Sequence, residues 1–453
     1  MRRFSKSFLL YQLFFITAIF GMALSHVYAA TPRHPFPQHD HITYAPGSIR
    51  PNGPQRTQAI QDKDVLAFYK VWQAHYLARV NTGRHGVPQY RVTFGKPGTA
   101  GYKKTVSEGQ GYGMVIVALL ARPGSDAQAK FDGLWNFCVA HPSGIEHNLM
   151  AWSVPPDEMG SDSAFDGDCD IAYALLLADK QWGSGGKVNY RGAARRVIQA
   201  IYHRMIGPQS HLPLLGDWVN PIQGTPIDKP PGIANQYTVR TSDFMLDHFR
   251  AFARATHGRE WQEVIAQCQA TIANLQQRFS PRTGLLPDFI VPQEYPKPVP
   301  DSQRFVPKPA PSMFLEGSKQ EPYDGDYYYN ACRVPWRLGT DALLHADPVS
   351  HARTRKISHW AGATFSNPFK VNTGFYIRPG SSLDGKPLFK KTRFSTIFVA
   401  PLGVAAMTVP AQQLWLNKIY DAVHTRHEGY YEDSVNLLCL LVMTHNYWDP
   451  TTL

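Results

Sequence analysis

One spacing recurs along this chain and limits what it can fold into. Val65, Phe68, Tyr69, Trp72 and Tyr76 return every three to four residues, which gathers them on one face of a helix. The same period comes back at 113–121, 127–138, 170–182, 189–206, 242–256, 260–279, 337–346, 352–364, 412–424 and 431–445. Loops rich in Gly, Pro and Asp separate these stretches, and strand-like alternation is sparse. The reading is about a dozen helices without a domain break. No repeat of fixed length is present, which disfavours a solenoid. Helices packed in order around one centre predict an all-α barrel with its long loops gathered at the ends. Residues 285–330 form the longest such loop, and 365–393 is a second one that has room for a short hairpin.

The first thirty residues fall outside that pattern. MRRFSKSF is basic, LLYQLFFITAIFGMAL is apolar, and SHVYAA ends in small residues at Ala29 and Ala30, the layout of a signal peptide. Export follows as an expectation, with the protein secreted or periplasmic. Residues 31–60 are rich in Pro and His and read as an extended leader, which leaves 61–453 as the helical barrel domain. No later apolar run is long enough to span a membrane. Loss of Arg2, Arg3 and Lys6 lowers the net charge from +11 to about +8. The remaining cations are scattered, so no nucleic-acid partner is indicated. The five cysteines are odd in number, widely spaced and without a CxxC pair, which points to buried thiols rather than a zinc site.

Two acidic segments stand out. In SEGQGYGM, Glu108 sits among Gly109, Gly111 and Gly113, just ahead of the apolar run VIVALLA. The expectation is that these glycines let a ligand lie close to the backbone beside the acid. About sixty residues later, SAFDGDCD places Asp166, Asp168 and Asp170 at the entry to another helix. An N-cap explains one of these carboxylates but not three. DxDxD resembles the start of a calcium loop, but the closing Glu is missing. If both helix entries open on one rim, their carboxylates repel and at least one pKa rises. One protonated and one ionised carboxyl are what glycoside cleavage needs.

These motifs, with LGDW at 215–218, RTSDFMLDHFRAF at 240–252, YYYNACRVPWRLGTD at 327–341 and YYEDSVNLLCLLVMTHNYW at 430–448, resemble glycoside hydrolase family 8 over roughly 60–450. The resemblance implies an (α/α)6 barrel with a substrate cleft at one end. It also implies inverting hydrolysis of β-1,4-linked glucan, cellulose-like or mixed-linkage, with no metal or organic cofactor. Glu108 matches the general acid. Asp166 matches the residue that holds the central sugar, with Asp168 as the fallback. This chain has Phe165 where Thr or Ser is common. At the position where one branch of the family carries its basic Asp, this chain has Asn330, an amide that cannot take a proton from water. A second branch, with lichenases and chitosanases, has Asn there and draws its base from a Glu on a long preceding loop. Glu316 in MFLEGS is the preferred match, anchored by Met313, Phe314 and Leu315; Glu321, Asp324 and Asp326 are the alternatives. Tyr112, Trp152, Trp218 and Tyr431 are candidate sugar-stacking rings. Arg333 and Arg337 are candidate partners of the acidic cluster, and His248 is expected to hydrogen-bond internally. The partner is a β-linked polysaccharide, and the protein is expected to be a monomer. Two rival readings are a chitosanase of the same family and a glycan-binding protein without catalysis.

Overall fold

The computed structural model describes residues 31–80, 87–156, 160–227, 232–297 and 305–452. Residues 1–30, which the sequence reads as a signal peptide, lie outside the described residues. Among these, twelve α-helices run in order: α1 (Gln58–Tyr76), α2 (Ser107–Leu119), α3 (Ala127–Ala140), α4 (Phe165–Trp182), α5 (Tyr190–Met205), α6 (Leu246–Thr256), α7 (Glu260–Arg278), α8 (Val334–His345), α9 (Pro348–Thr364), α10 (Thr396–Ala406), α11 (Gln413–Val423) and α12 (Tyr430–Met443).

Odd and even helices differ in burial. The odd ones are amphipathic: α9 buries only Ser350, Thr354, Ile357, Ser358, Trp360 and Ala361, on one stripe. The even ones, α6 apart, are buried almost all round. In α2 every residue but Glu108 is buried, in α4 every residue but Lys180, and in α10 every residue. A helix without a polar face must be enclosed by other elements. The contacts agree. α2 packs on α4, α4 on α6, α6 on α8, α8 on α10, α10 on α12, and α12 returns to α2. The odd helices pack outside, α1 on α12, α3 on α2, α5 on α4, α7 on α6, α9 on α8 and α11 on α10.

The strands are short: β1 (Leu77–Val80), β2 (Gln89–Val92), β3 (Thr105–Val106), β4 (Ser153–Val154), β5 (Thr225–Ile227), β6 (Gly232–Ala234), β7 (Val239–Arg240), β8 (Phe289–Pro292) and β9 (Pro307–Pro309). All pair antiparallel. Two of these ladders position the site. β3–β4 ends directly at the start of α2, and β7–β8–β9 carries Arg240. The 365–393 segment turns back on itself through an antiparallel bridge between Phe375 and Pro387.

Residues 31–57 have no regular secondary structure but are part of the fold. Their amides cap the C-terminal ends of the even helices: Arg33 N to Gln181 O (2.9 Å), Phe36 N to Ala121 O (2.8 Å), Ala45 N to Leu343 O (2.6 Å) and Ile49 N to Met407 O (2.9 Å). The Tyr44 hydroxyl adds a bond to Tyr447 O, at 2.9 Å, just beyond α12. Helix ends leave carbonyls unpaired, and this strap answers four of the six even helix ends, while Tyr44 ties down the chain beyond α12. α6 instead ends on His257 in the left-handed region, at φ 56°.

The acidic motifs lie inside helices rather than ahead of them. α2 begins at Ser107 and α4 at Phe165, so Glu108 and Asp166 occupy first turns. The glycines serve packing, not a ligand. A Cβ on Gly111 would lie 2.7 Å from Asp170 Cβ and 2.9 Å from Gly167 O, and one on Gly109 would lie 2.8 Å from the Tyr430 ring. They let α2 approach α4 and α12 closely, which corrects the expectation that they receive a sugar.

Candidate active site

The N-terminal ends of α2, α4 and α12 and the 3₁₀ turn ahead of α8 meet at one cleft. Arg333 is its centre, with a side chain 2% exposed. Its Nη1 donates to Glu108 Oε2 and Asp166 Oδ2, both at 2.7 Å, and to the Tyr112 hydroxyl at 3.1 Å. Its Nη2 donates to Ser242 Oγ (2.9 Å) and Asn330 Oδ1 (3.0 Å). Arginine's planar fork suits such a role, since it holds several acceptors at fixed angles.

Glu108 also accepts the Tyr430 hydroxyl on Oε1 at 2.7 Å. Burial pushes its carboxyl up to about 7; the Asp166 charge adds to this, while Arg333 and Tyr430 pull back only in part. Asp166 is buried too, but the positive charges of Arg333 and Arg240 outweigh that burial and hold it below the usual carboxylate range.

The long loop brings Glu316 to the opposite wall. Its Oε2 accepts from Asn330 Nδ2 and its Oε1 from Arg240 Nη2, each at 2.8 Å. The side chain is 47% exposed. Partial desolvation pushes its pKa up, but Arg240, the Asn330 amide and Arg333 lower it overall. The loop is held by Asp324, whose carboxylate accepts the backbone N–H groups of Leu315 (2.7 Å), Glu316 (3.2 Å) and Gly317 (2.8 Å). Phe314 seats it in a small apolar cluster with Phe289, Val291 and Leu215. Asp326 pairs with Arg378, and Glu321 accepts the Tyr328 hydroxyl at 2.8 Å. Of the four loop acids, Glu316 is the one lining the cleft.

The cleft continues into a second hollow, the two sharing Trp152, Ala164, Arg240 and Glu316. Trp218 lines the far part, Tyr431 the near part, and Trp152 their junction. Two expected substrate contacts are not there. Tyr112 is fully buried against Trp336 and Arg333, so no sugar can reach its ring. Asp168 is two residues past Asp166, about 200° around the helix. It therefore faces away from the cleft, where Oδ1 accepts Met150 N at 2.9 Å. Arg337 pairs with Asp170 at 2.7 Å, and His248 bonds the same carboxylate at 2.8 Å, inside the helix layer. Phe165 is buried beside Phe249, so it takes no part in the cleft.

Arg240, Tyr430 and Asp288 escaped the sequence reading. Arg240 and Tyr430 open two of the motifs, but nothing in the sequence sets them apart from other surface Arg and core Tyr residues. Asp288 accepts the backbone N–H groups of Tyr328, Asn330 and Ala331 (2.8, 3.0 and 2.7 Å) and so shapes the turn that presents Asn330. Nothing in its local sequence marks it.

A cleft with one carboxyl raised to about 7 on one wall and a carboxylate held low on a loop across from it has the pairing that a glycoside hydrolase uses. A family model described as glycosyl hydrolases family 8 matches residues 83–297. The chain is 38% identical over 424 residues to a beta-glucanase of Niallia circulans, covering 92% of each protein. It is 34% identical over 423 residues to an endoglucanase of Bacillus sp. (strain KSM-330), covering 92% of this chain and 82% of that one. The solved apo structure of a beta-1,3-1,4-glucanase from Paenibacillus sp. X4 matches with a TM-score of 0.79 at 38% identity, over 92% of this chain and 100% of that chain. A cold-adapted family 8 xylanase shares the fold, with a TM-score of 0.63 at 18% identity over 86% of this chain and 92% of that chain. The chain belongs to glycoside hydrolase family 8.

Proposed function

We propose that this protein is an inverting endo-β-glucanase, cutting β-1,4 bonds in cellulose-like or mixed-linkage glucan. Glu108 gives its proton to the departing glycosidic oxygen. Glu316 takes a proton from the water that attacks the opposite face of the sugar. Asp166, kept ionised by Arg333, accepts hydroxyls of the sugar at the point of cleavage. The reading rests on one observation: Glu108 and Glu316 line the same cleft with pKa values displaced in opposite directions. Asn330 then serves as a donor that orients Glu316. The contacts from α2 through α12 and back to α2 support a closed (α/α)6 barrel with this cleft at one end.

Charge favours a neutral glucan over chitosan. Arg240 and Arg333 stand against the carboxylates, and Lys104 Nζ lies 4.8 Å from the centre of the Trp152 ring at the cleft wall. Asp166 and Glu316 are already paired with these arginines, so the cleft offers no surplus negative charge to draw a polycationic chain. The names of the 34–38% identical relatives, a beta-glucanase, an endoglucanase and a beta-1,3-1,4-glucanase, support the same substrate class. Glu316 argues against a binding protein that has lost its base. Export, with cleavage near Ala30, and a monomeric state are parts of the same proposal. Among the described residues no helix is long and apolar enough to cross a membrane.

Lichenan, carboxymethylcellulose, xylan and chitosan assayed side by side test the reading, with the anomer of the first product followed by NMR. Cleavage of the glucans with inversion is expected. Replacing either acid–base group, by Glu108→Gln or Glu316→Gln, is expected to cost about 10²–10⁴-fold in kcat. Cleavage of chitosan alone, or a retained anomer, overturns it.

A further inference from the structure

A separate pocket of 220 Å³ lies where α3, α5 and the first turn of α4 meet the 147–150 segment. It shares no lining residue with the two hollows of the cleft. Its size decides between classes of occupant. It far exceeds the ~15 Å³ that a single water needs, and it falls below the ~300 Å³ where sites for larger ligands begin. One ring-sized molecule fits.

Asp168 forms the inner wall. Its Oδ1 is used by Met150 N, but Oδ2 has no partner, although the residue is only 1% exposed. A buried polar atom left bare costs about 1–3 kcal/mol, so such atoms call for an explanation. Burial raises the Asp168 carboxyl well above the usual range. A carboxyl displaced upward favours its protonated form, in which the unpartnered oxygen at the pocket wall can both give and take a hydrogen bond. An ionised acid here would select a cation; a neutral one suits a hydroxyl, which both gives and takes a hydrogen bond.

The other walls have the same character. Trp135, half-buried, supplies an aromatic side chain, and its indole N–H has no acceptor among the described residues. Arg196 is exposed at the mouth and likewise makes no hydrogen bond among the described residues. Ile171 and Val197 complete an apolar floor. A ring with apolar faces and hydroxyls around its edge matches an aromatic wall, a neutral acid and a free guanidinium together.

We propose that this pocket is a second saccharide site, which holds one neutral sugar unit of a polymer outside the catalytic cleft. That the sugar is glucose rests on the glucanase reading. Its effect is avidity: a chain held at two points is retained longer, while a short oligosaccharide gains nothing.

Calorimetric titration of the Glu108→Gln protein with cellobiose tests the site. Two classes of binding are expected, and a second substitution, Trp135→Ala or Arg196→Ala, is expected to weaken one class at least tenfold and leave the other intact. Asp168→Asn, which keeps a neutral donor and acceptor, retains both. In the otherwise unaltered enzyme, Trp135→Ala is expected to raise KM for polymeric glucan several-fold, with kcat and the turnover of short oligosaccharides unchanged. A single binding class, or two classes that survive both substitutions, overturns the proposal. Loss of glucan hydrolysis by the unaltered enzyme is a different result and strikes the glucanase reading instead.

Discussion

Arg333 Nη1 reaches Glu108 and Asp166 at the same 2.7 Å, yet the two carboxyls differ in ionisation. Asp166 is held down by two cations, Arg333 and Arg240, and stays charged. Its charge then adds to burial in pushing Glu108 up to about 7. On the proposed mechanism, activity should fall as pH rises through about 7, because Glu108 as the acid must carry a proton. It should also fall at low pH, as Glu316 gains one. Asn330→Asp tests this second limb. The new carboxylate would stand where the amide now donates to Glu316 at 2.8 Å, replacing attraction with repulsion. Raising the Glu316 pKa moves the acid limb of kcat/KM to higher pH, by about one unit or more, with the alkaline limb less affected. An unmoved acid limb would detach Glu316 from it. The sequence made Glu108 and Asp166 legible because their motifs are long and distinctive. It placed Tyr112 and Asp168 in the wrong surroundings, since adjacency in a motif does not say which face of a helix a side chain takes.

At the scale of elements, the acid's position depends on how closely α2 crosses α4. Gly111→Ala would drive a methyl to 2.7 Å from Asp170 Cβ and 2.9 Å from a carbonyl oxygen of α4. Backbone cannot give way as a flexible side chain can, so about 1–3 kcal/mol of stability should be lost. Glu108 should shift with its helix, so kcat falls together with the denaturation midpoint. Urea unfolding and steady-state kinetics on one preparation check both. Helix periodicity found the amphipathic odd helices well, since a half-wet helix shows its pattern. It missed α10 altogether. TIFVAPLGVAA is buried on every side, contains Pro401, and has no polar face to set a period. The periodicity begins only at 113 and 170, while α2 starts at Ser107 and α4 at Phe165, because Gly and Asp usually mark turns; here close packing and the helix dipole outweigh propensity.

The largest scale belongs to the strap of residues 31–57. Its Pro and His content reads as an extended leader, and composition alone does not show what the leader binds, because its partners lie far along the chain. Phe36 and Tyr44 are buried, and the strap's backbone satisfies helix-end carbonyls from Ala121 to Met407. Removing residues 31–49 should strip those bonds, at about 1 kcal/mol each, and lower Tm by about 5 °C or more. The pH profile of the enzyme that remains folded should not change, since no strap residue lines the cleft. Differential scanning calorimetry with a pH–rate series separates the two effects.

The strap also fixes where the chain enters the molecule. Arg33 is bonded near the far end of α4, 18 residues long and so roughly 27 Å from the end that carries Asp166. Anything attached ahead of residue 31, such as an affinity handle, a surface linker or a fused module, would emerge on the underside and leave the mouth of the groove open to a bulky fibre. A graft made there should work on insoluble material as freely as the untethered protein does.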